Sequence, residues 1–402
     1  MNIIVQKFGG TSVSTEERRI QVASKVKEAI NLGFNPVVVV SAMGRLGEPY
    51  ATDTLLSLVD DKFKENNKGS KDLLMCCGEI ISSVVICNTF YNEGIEAVPL
   101  TGGQAGIITN DNYCNAQYIN VDDDRIMSVL REGKVPVVTG FQGVTKDGYF
   151  TTLGRGGSDT SACILGQALK AKEIDIFTDV DGIMTADPRI VKDASLINEI
   201  TYNEVFQLAD QGAKVIHPKA VDLAKKANIP LKIKNTMNEC EGTIVKEAID
   251  ESEMRYITGI TYLNDRVQIR VRLSENENIA AYRSLLDILA KNKISLDLIN
   301  IFPAHQIFTV DKKEKARVES LLDLIGIKYS CIDNCSTIAI VGAGMRGVPG
   351  IMARIMKVLA DNNIEVLQTT DSNMTIWCLI NEGEVGKAIN LLHHEFNLSL
   401  VH

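Results

Sequence analysis

The sequence has few of the side chains that build metal sites, and it has no basic surface pattern. Only five histidines occur among 402 residues, and the nine cysteines include the adjacent pair Cys76-Cys77 but no C-x-x-C spacing. No zinc-type ligand set can be assembled from them, so we expect reduced, packed thiols and no metal held by the protein alone. The net charge of −9, without any basic block interleaved with aromatics, argues against a nucleic-acid partner.

Long hydrophobic runs and a signal-peptide pattern are also missing. The N-terminus leads directly into an apolar stretch, and no apolar run approaches the roughly 18 residues that a membrane span needs. We therefore expect a cytoplasmic protein without membrane contact.

Residues 1–240 read as one parallel α/β domain. Short apolar runs, typical of buried strands, alternate with amphipathic stretches such as Glu16 to Leu32. From Met237 to Arg255 the apolar pattern thins and acidic residues gather, which indicates a domain boundary. The predicted strands are Val37 to Ser41, Ala97 to Leu100, Val135 to Gly140, Ile174 to Phe177 and Pro230 to Ile233.

The rest of the chain contains a weak repeat of about 70 residues. Each copy has the order strand, loop, helix, strand, strand, helix, the first starting at "TGITYLNDRVQIRV" and the second at "STIAIVGAG". Each copy is too small for a catalytic domain, so we interpret the pair as binding modules.

Two glycine-rich stretches of the first domain point to an anion. In "IIVQKFGGTS", Lys7 precedes Gly9 and Gly10, the reverse of the P-loop order. In "TTLGRGGSDTSACILG", Arg155, Ser158 and Asp159 lie before an apolar helix, although a capped helix with an exposed arginine is the alternative.

The stretch "IDIFTDVDGIMTADPR" places Thr178, Asp179 and Arg189 behind a buried strand, where ligands of open parallel sheets bind. A polar turn with Asx caps is the alternative there. Glu79, in an otherwise apolar helix start, is either a surface residue or a buried group with a cationic partner, and the sequence alone leaves both open.

The stretch "IAIVGAGMRGVPG" matches the dinucleotide fingerprint G-x-G-x-x-G at Gly342, Gly344 and Gly347, which taken alone predicts a dehydrogenase. Only about 55 residues follow it, too few for the half-domain that this fingerprint opens, and Pro349 stands where the helix begins. We therefore disfavour a phosphate cradle there.

These motifs occur together in the aspartokinases of the amino-acid kinase family, which the chain resembles over its whole length. The motifs are "KFGGTSV", "VSAMG", "CGE", "GRGGSDTSA", "FTDVDG" with "TADPR", "GAKVIHP", and "VGAGM" with "GVPG". The resemblance implies a parallel-sheet kinase domain at 1–240 and two ferredoxin-like (βαββαβ) ACT domains at 256–330 and 335–402. An insertion, "GRLGEPYATDTL", makes the chain most similar to the single-chain, diaminopimelate-responsive isozyme of Gram-positive bacteria.

The implied reaction is phosphorylation of the β-carboxylate of L-aspartate by ATP, the entry step to lysine, threonine and methionine. That carboxylate is already ionised at pH 7, so no general base is needed. Mg²⁺ would arrive with ATP. The resemblance assigns phosphate contacts to Lys7, Gly9, Gly10 and Ser12, the positioning of Lys7 to Asp159, substrate contacts to Glu79, Arg155 and Ser158, and the nucleotide side to Thr178, Asp179, Arg189 and Lys214.

Two family contacts are not assigned. Met184 stands where many relatives have a tyrosine against adenine, and either Thr52 or Thr54 could be the threonine on the substrate side.

The resemblance also implies feedback inhibition by lysine, diaminopimelate or threonine, and a homodimer or higher assembly through the ACT domains. An acetylglutamate or glutamate kinase and an inactive amino-acid sensor are the alternatives. The implied effector site comprises Met345, Val348, Pro349, Gly350, Ile351, Asp371 and Thr375.

Overall fold

The computed structural model describes residues 1–213, 215–248, 255–272, 282–345 and 347–399. The chain divides into two units, each of which is built from more than one segment. The first unit is Met1–Ile183, Leu196–Ala209 and Lys214–Asp250, and the second is Met184–Ser195, Asp210–Ala213 and Glu251–His402. The predicted division into domains at 1–240, 256–330 and 335–402 stays a prediction, since the second unit takes in two segments from within 1–240.

Two sheets form the framework of the first unit. Its strands are β1 (Ile3–Phe8), β2 (Asn35–Val40), β3 (Ala97–Leu100), β4 (Ile107–Thr109), β5 (Tyr118–Val121), β6 (Val135–Thr139), β7 (Gln142–Val144), β8 (Phe150–Thr152), β9 (Glu173–Thr178), β10 (Glu199–Thr201), β11 (Leu231–Asn235) and β12 (Thr243–Lys246). The larger sheet has the order β10-β12-β11-β9-β1-β2-β6-β3, and all its pairs are parallel except β11 with β12. The predicted parallel α/β fold is confirmed, together with all five predicted strands.

The smaller sheet, in the order β5-β4-β7-β8, was not predicted. Its strands are only three or four residues long, too short for an alternating pattern to distinguish them from loops.

Helices cover both faces of the larger sheet. They are α1 (Glu16–Asn31), α2 (Thr52–Leu56), α3 (Asp61–Asn66), α4 (Lys68–Asn92), α5 (Asp124–Arg131), α6 (Gly157–Ala168), α7 (Tyr202–Asp210) and α8 (Pro218–Ala227). Helix α1 begins after Thr15, whose hydroxyl accepts a hydrogen bond from the N–H of Arg18, and it buries Val22, Ala23 and Val26 at helical spacing. These residues share one core with α4 and β1, while α6 packs on the opposite face.

Helix α4 corrects the expectation that no segment is apolar enough for a membrane span. By length and composition alone this 25-residue helix could cross a membrane, but half of that stretch is buried inside the unit. Buried core helices of this length pass the same test, so the finding is weak evidence for a membrane segment.

The second unit contains both predicted repeats on one antiparallel sheet. Its strands are β13 (Gly259–Arg272), β14 (Asp297–Ile301), β15 (His305–Asp311), β16 (Tyr329–Val341), β17 (Val366–Asp371) and β18 (Thr375–Asn381), and its helices are α9 (Leu285–Lys291), α10 (Lys315–Leu324), α11 (Ile351–Asp361) and α12 (Val385–Glu395). The sheet order is β14-β15-β13-β16-β18-β17. The long strands β13 and β16 pair with each other through both repeats, and this pairing joins the two repeats into one continuous sheet.

Each repeat of the second unit has its own core. Leu285, Leu289 and Val318 pack under the first repeat, and Ile355, Leu359 and Leu392 pack under the second. The segment Met184–Ser195 joins the second core and is tied to α12, because Nε2 of the buried His393 lies 2.9 Å from the Thr185 hydroxyl.

Candidate active site

Lys7 lies on β1 in the interior of the larger sheet. Neighbouring side chains of a strand point to opposite faces, and Phe8 stacks on Phe177 of β9, with ring centroids 4.7 Å apart, in the core shared with α1 and α4. Lys7 therefore faces α6, where its Nζ is 2.7 Å from Oδ1 of Asp159, and both side chains are only 12% exposed. The structure contains the ion pair that the family resemblance implies.

The loop after β1 is held through its backbone. The N–H of Gly9 donates to the carbonyl oxygen of Phe177 (3.2 Å), and the N–H of Gly44 donates to that of Gly10 (3.1 Å). A Cβ on residue 10 would lie 2.5 Å from the carbonyl oxygen of Ala42, closer than real side chains come. Glycine is therefore required at position 10, where two loops pass each other closely.

The glycine-rich turn before α6 brings that helix N-terminus to the site. Gly156 adopts the left-handed conformation (φ 63°), and a Cβ there would lie 2.1 Å from Cβ of His217. Ser158 and Asp159 follow in the buried first turn of α6, while Arg155 is exposed on the turn itself. The helix N-terminus favours a negatively charged ligand beside them.

His217 has a structural contact of its own. Its Nδ1 accepts a hydrogen bond from the N–H of Lys219 (3.2 Å) at the start of α8. Burial lowers the pKa of His217, which favours the neutral imidazole that this acceptor role requires.

Glu79 is buried in α4, with 3% of its surface exposed. Its Oε1 accepts a hydrogen bond from the N–H of Ala42 (3.2 Å), whereas its Oε2 has no hydrogen-bond partner among the described residues. Burial raises the pKa of Glu79 to about 8, and the bond from Ala42 opposes that rise only in part. A buried carboxylate of this kind is stabilised by a cationic ligand.

One cavity of about 310 Å³ joins these features. Five of the predicted residues line it, namely Lys7, Gly10, Glu79, Ser158 and Asp159. Of the two candidate threonines, Thr52 lines the cavity, whereas the Thr54 hydroxyl accepts a hydrogen bond from the N–H of Gly47 (3.0 Å). Sequence reasoning did not single out Ser41, Ala42 or Phe141, although the quoted "VSAMG" contains the first two. The lining is Lys7, Gly10, Ser41, Ala42, Gly44, Thr52, Glu79, Phe141, Gly156, Gly157, Ser158 and Asp159.

A second, smaller cavity of about 150 Å³ lies at the carboxyl ends of β9 and β11. It contains the predicted Ser12, Thr178 and Asp179, and Oδ2 of Asp179 is 2.7 Å from Nη2 of Arg45 in the insertion. The other lining residues, two of them after β1 and three at the end of β11, were not predicted. They are Thr11, Arg18, Asn235, Thr236 and Met237.

The other two predicted nucleotide contacts are Arg189 and Lys214. Arg189 belongs to the second unit, where its Nη2 lies 2.7 Å from Oδ2 of Asp187 and its side chain is exposed. Lys214 lies outside the described residues. Both assignments stay predictions.

The predicted effector residues lie around the start of α11 and the turn that joins β17 to β18. The loop before α11 meets that turn, because the N–H of Gly342 donates to the carbonyl oxygen of Met374 (2.9 Å). The side chains of Met345 and Ile351 belong to the core of the second repeat, and Val348 packs against it. Pro349, Gly350 and Asp371 are exposed, and Thr375 is buried.

The glycine fingerprint at 342–347 has a packing explanation. A Cβ on Gly342 would lie 2.1 Å from the carbonyl oxygen of Tyr256, and one on Gly344 would lie 2.7 Å from that of Arg255. These glycines allow two backbone segments to pack together, so the fingerprint does not require a dinucleotide.

Comparison with known proteins identifies the family to which this chain belongs. A model of the amino acid kinase family matches residues 2–235, and a model of the ACT domain matches residues 330–394. The chain is 44% identical to Aspartokinase 1 of Bacillus subtilis, over 99% of this chain and 100% of that one, and 34% identical to Aspartokinase 2 of the same organism, over 99% and 98%. The chain therefore belongs to the aspartokinases, as the motifs predicted.

Solved structures agree on the fold. Two crystal structures of Escherichia coli aspartokinase III, one with aspartate and ADP and one with lysine and aspartate, align with TM-scores of 0.78 and 0.77. Each is 23% identical to this chain, and each comparison covers 98% of this chain and 100% of the other. The predicted kinase domain and ACT fold are confirmed.

Proposed function

We propose that this enzyme transfers the γ-phosphoryl group of ATP to the β-carboxylate of L-aspartate, giving 4-phospho-L-aspartate and ADP. The observation that carries the proposal is the cavity lined by Lys7, which is paired with Asp159, and by Glu79, whose buried Oε2 has no hydrogen-bond partner among the described residues. An amino-acid substrate supplies what each side lacks, an ammonium for Glu79 and a carboxylate directed toward the loop after β1 (residues 9–12), which we call the phosphate loop.

The chemistry needs positioning and charge neutralisation. Aspartate is already an anion, so catalysis consists of bringing two anions together and stabilising the transferring phosphoryl group. Lys7, kept in place by Asp159, would contact the β- and γ-phosphates. The backbone N–H of Gly10 would add a donor, since that of Gly9 is bonded to Phe177. Arg155, exposed on the turn, would swing onto the substrate α-carboxylate as a bidentate clamp.

Mg²⁺ would enter bound to ATP. In the described part of the chain, no group of three or more His, Cys, Asp and Glu side chains is arranged to hold a metal ion. An ion that keeps most of its ligands from phosphate and water suits such a site.

The two ACT repeats would bind an end-product amino acid, lysine, diaminopimelate or threonine, and would assemble at least a dimer. Aspartokinase III of Escherichia coli, solved with lysine, gives precedent for such an effector. An effector that binds one global state more tightly shifts the equilibrium of the kinase unit. A cytoplasmic location fits an enzyme with these substrates.

An acyl-phosphate trap tests the reaction. The full chain is incubated with Mg·ATP and L-aspartate in hydroxylamine, and hydroxamate is measured, with glutamate and acetylglutamate in parallel. We expect a signal with aspartate that Lys7→Ala reduces by about 100-fold or more, while Ala at the exposed Lys146 leaves it unchanged.

Each other result identifies an alternative. A signal only with glutamate or acetylglutamate would make the protein a sibling amino-acid kinase. No signal with any acid, together with effector binding, would make it a sensor.

A further inference from the structure

A chain of buried hydroxyl groups connects the phosphate loop to the end of β9 through a residue that no motif includes. The hydroxyl oxygens of Ser12 and Thr236 are 2.6 Å apart, and the Thr236 hydroxyl lies 3.2 Å from the carbonyl oxygen of Thr178. Ser12 is 2% exposed and Thr236 is 1% exposed, so water does not compete for these bonds.

The direction of donation in this chain follows from the last acceptor. A carbonyl oxygen can only accept, so Thr236 donates its proton to Thr178, and Ser12 must donate to Thr236. The backbone N–H of Thr236 also donates to the same carbonyl oxygen (3.0 Å), which fixes the orientation of the threonine. The hydroxyl and the N–H of Ser12 are thus both bonded inside the protein, the N–H to the carbonyl oxygen of Gly9 (2.9 Å).

The three residues belong to neighbouring strands. Ser12 lies in the loop after β1, Thr178 ends β9, and Thr236 directly follows β11. These strands are adjacent in the order β11-β9-β1. Their carboxyl ends form the edge of the sheet where ligands of parallel α/β folds bind. Ser12, Thr178 and Thr236 also line the same cavity of about 150 Å³.

We propose that Thr236 is a positioning residue for nucleotide binding and phosphoryl transfer. Its hydroxyl holds the phosphate loop at a fixed distance from the Thr178–Asp179 turn, and it acts through Ser12 without touching the substrate. The inference rests on the proposed kinase function, since it assigns the phosphates to this loop.

The test compares Thr236→Val, which keeps the shape and removes the hydroxyl, with Thr236→Ser, which keeps the hydroxyl. The matched control is Thr109→Val, which breaks another buried pair of threonine hydroxyls, Thr109 and Thr151, also 2.6 Å apart, in the smaller sheet. Each full-length variant is measured for melting temperature, for ADP affinity by calorimetry, and for kcat and the KM values of ATP and aspartate.

We expect Thr236→Val to weaken ADP binding and to lower kcat, each by about tenfold, with the KM for aspartate changed less than about twofold. Thr236→Ser should restore both to within about threefold, and Thr109→Val should lower only the melting temperature. In the Ser12→Ala background, Thr236→Val should lower ADP affinity and kcat little further, because the two residues act as one unit.

If Thr236→Val lowers the melting temperature like Thr109→Val but leaves ADP affinity and kcat unchanged, the role of Thr236 is structural and the inference fails. If the wild type binds ADP but phosphorylates no aspartate, the proposed reaction fails, while the ADP data still decide the role of Thr236. A wild type that binds no nucleotide would overturn both.

Discussion

Two buried carboxylates on helix α4, seven residues apart and therefore on one face, have opposite environments. Asp72 is fully buried and accepts hydrogen bonds from the N–H of Cys114 (2.9 Å) and from the N–H and hydroxyl of Thr152 (2.8 and 3.0 Å). Glu79 is almost as buried but accepts one bond to Oε1 from the protein, and its Oε2 has none from the described residues.

The difference shows how a folding role and a binding role can be separated within one element. Asp72 is saturated by the chain, which ties α4 to the smaller sheet and leaves no capacity for a ligand. Glu79 lines a cavity, its Oε2 has no hydrogen-bond partner among the described residues, and burial disfavours its ionised form. Burial alone would mark both residues, and only the count of hydrogen bonds distinguishes them.

The largest expected effect is the loss of kcat/KM for aspartate in the Glu79→Gln variant. The amide keeps the size of the side chain but cannot form an ion pair with the substrate ammonium, so kcat/KM for aspartate should fall by about 100-fold or more at pH 8. Steady-state hydroxamate assays measure it. Asp72→Asn is the matched change, and a comparable loss of kcat/KM in a folded Asp72→Asn protein would remove the distinction between the two carboxylates.

Next in size is the pH dependence of aspartate binding. Burial raises the pKa of Glu79 to about 8, so the group is mostly protonated at pH 6 and must lose its proton to pair with the ammonium. The KM for aspartate should therefore fall about tenfold per pH unit between pH 6 and 7 and level off near 8. In Glu79→Gln the KM should be high and independent of pH over this range, whereas an unchanged pH profile would assign the titration to another group.

The third effect concerns folding. Asp72→Asn leaves an amide N–H₂ among three protein donors and replaces charge-assisted bonds, so the free energy of unfolding should fall by about 2 to 4 kcal/mol. Urea unfolding of the full chain measures it. KM for aspartate should stay within about twofold of the wild type in the protein that remains folded.

Sequence reasoning found those parts of the fold and site that local pattern encodes. Apolar runs predicted five strands of the larger sheet, and the family resemblance implied the pairing of Asp159 with Lys7, an ion pair that the structure contains. For Glu79 the sequence left surface and buried positions open, since one carboxylate in an apolar helix fits either environment. Asp72 on the same helix was not predicted to have a role, because its hydrogen-bond partners lie 42 and 80 residues away in the sequence.

Long separation also explains the other omissions. Thr236 meets Ser12 across 224 residues of sequence, and nothing in the segment after β11 indicates that contact. The two glycine-rich turns make the same point. Around Gly156 the neighbours include Ser158 and Asp159 at a cavity, whereas Gly342 only allows close backbone packing, and a glycine pattern by itself does not distinguish these uses.

The last expected effect has the opposite sign, a gain of stability in Glu79→Gln. The folded pKa of Glu79, about 8, lies above its ordinary value, so the unfolded chain loses this proton at lower pH than the folded chain does. The group therefore costs stability as pH rises from about 4.5 through 8, and an amide, which does not ionise, avoids that cost.

At pH 8 without ligands, the free energy of unfolding of Glu79→Gln should exceed that of the wild type by up to about 4 kcal/mol, and the gain should shrink to about 1 kcal/mol near pH 5. Urea unfolding at both pH values measures the difference. Asp72→Asn should be destabilised at both. A Glu79→Gln protein less stable than the wild type at pH 8 would mean that Glu79 contributes to folding as Asp72 does, and the separation between the two carboxylates of α4 would no longer hold.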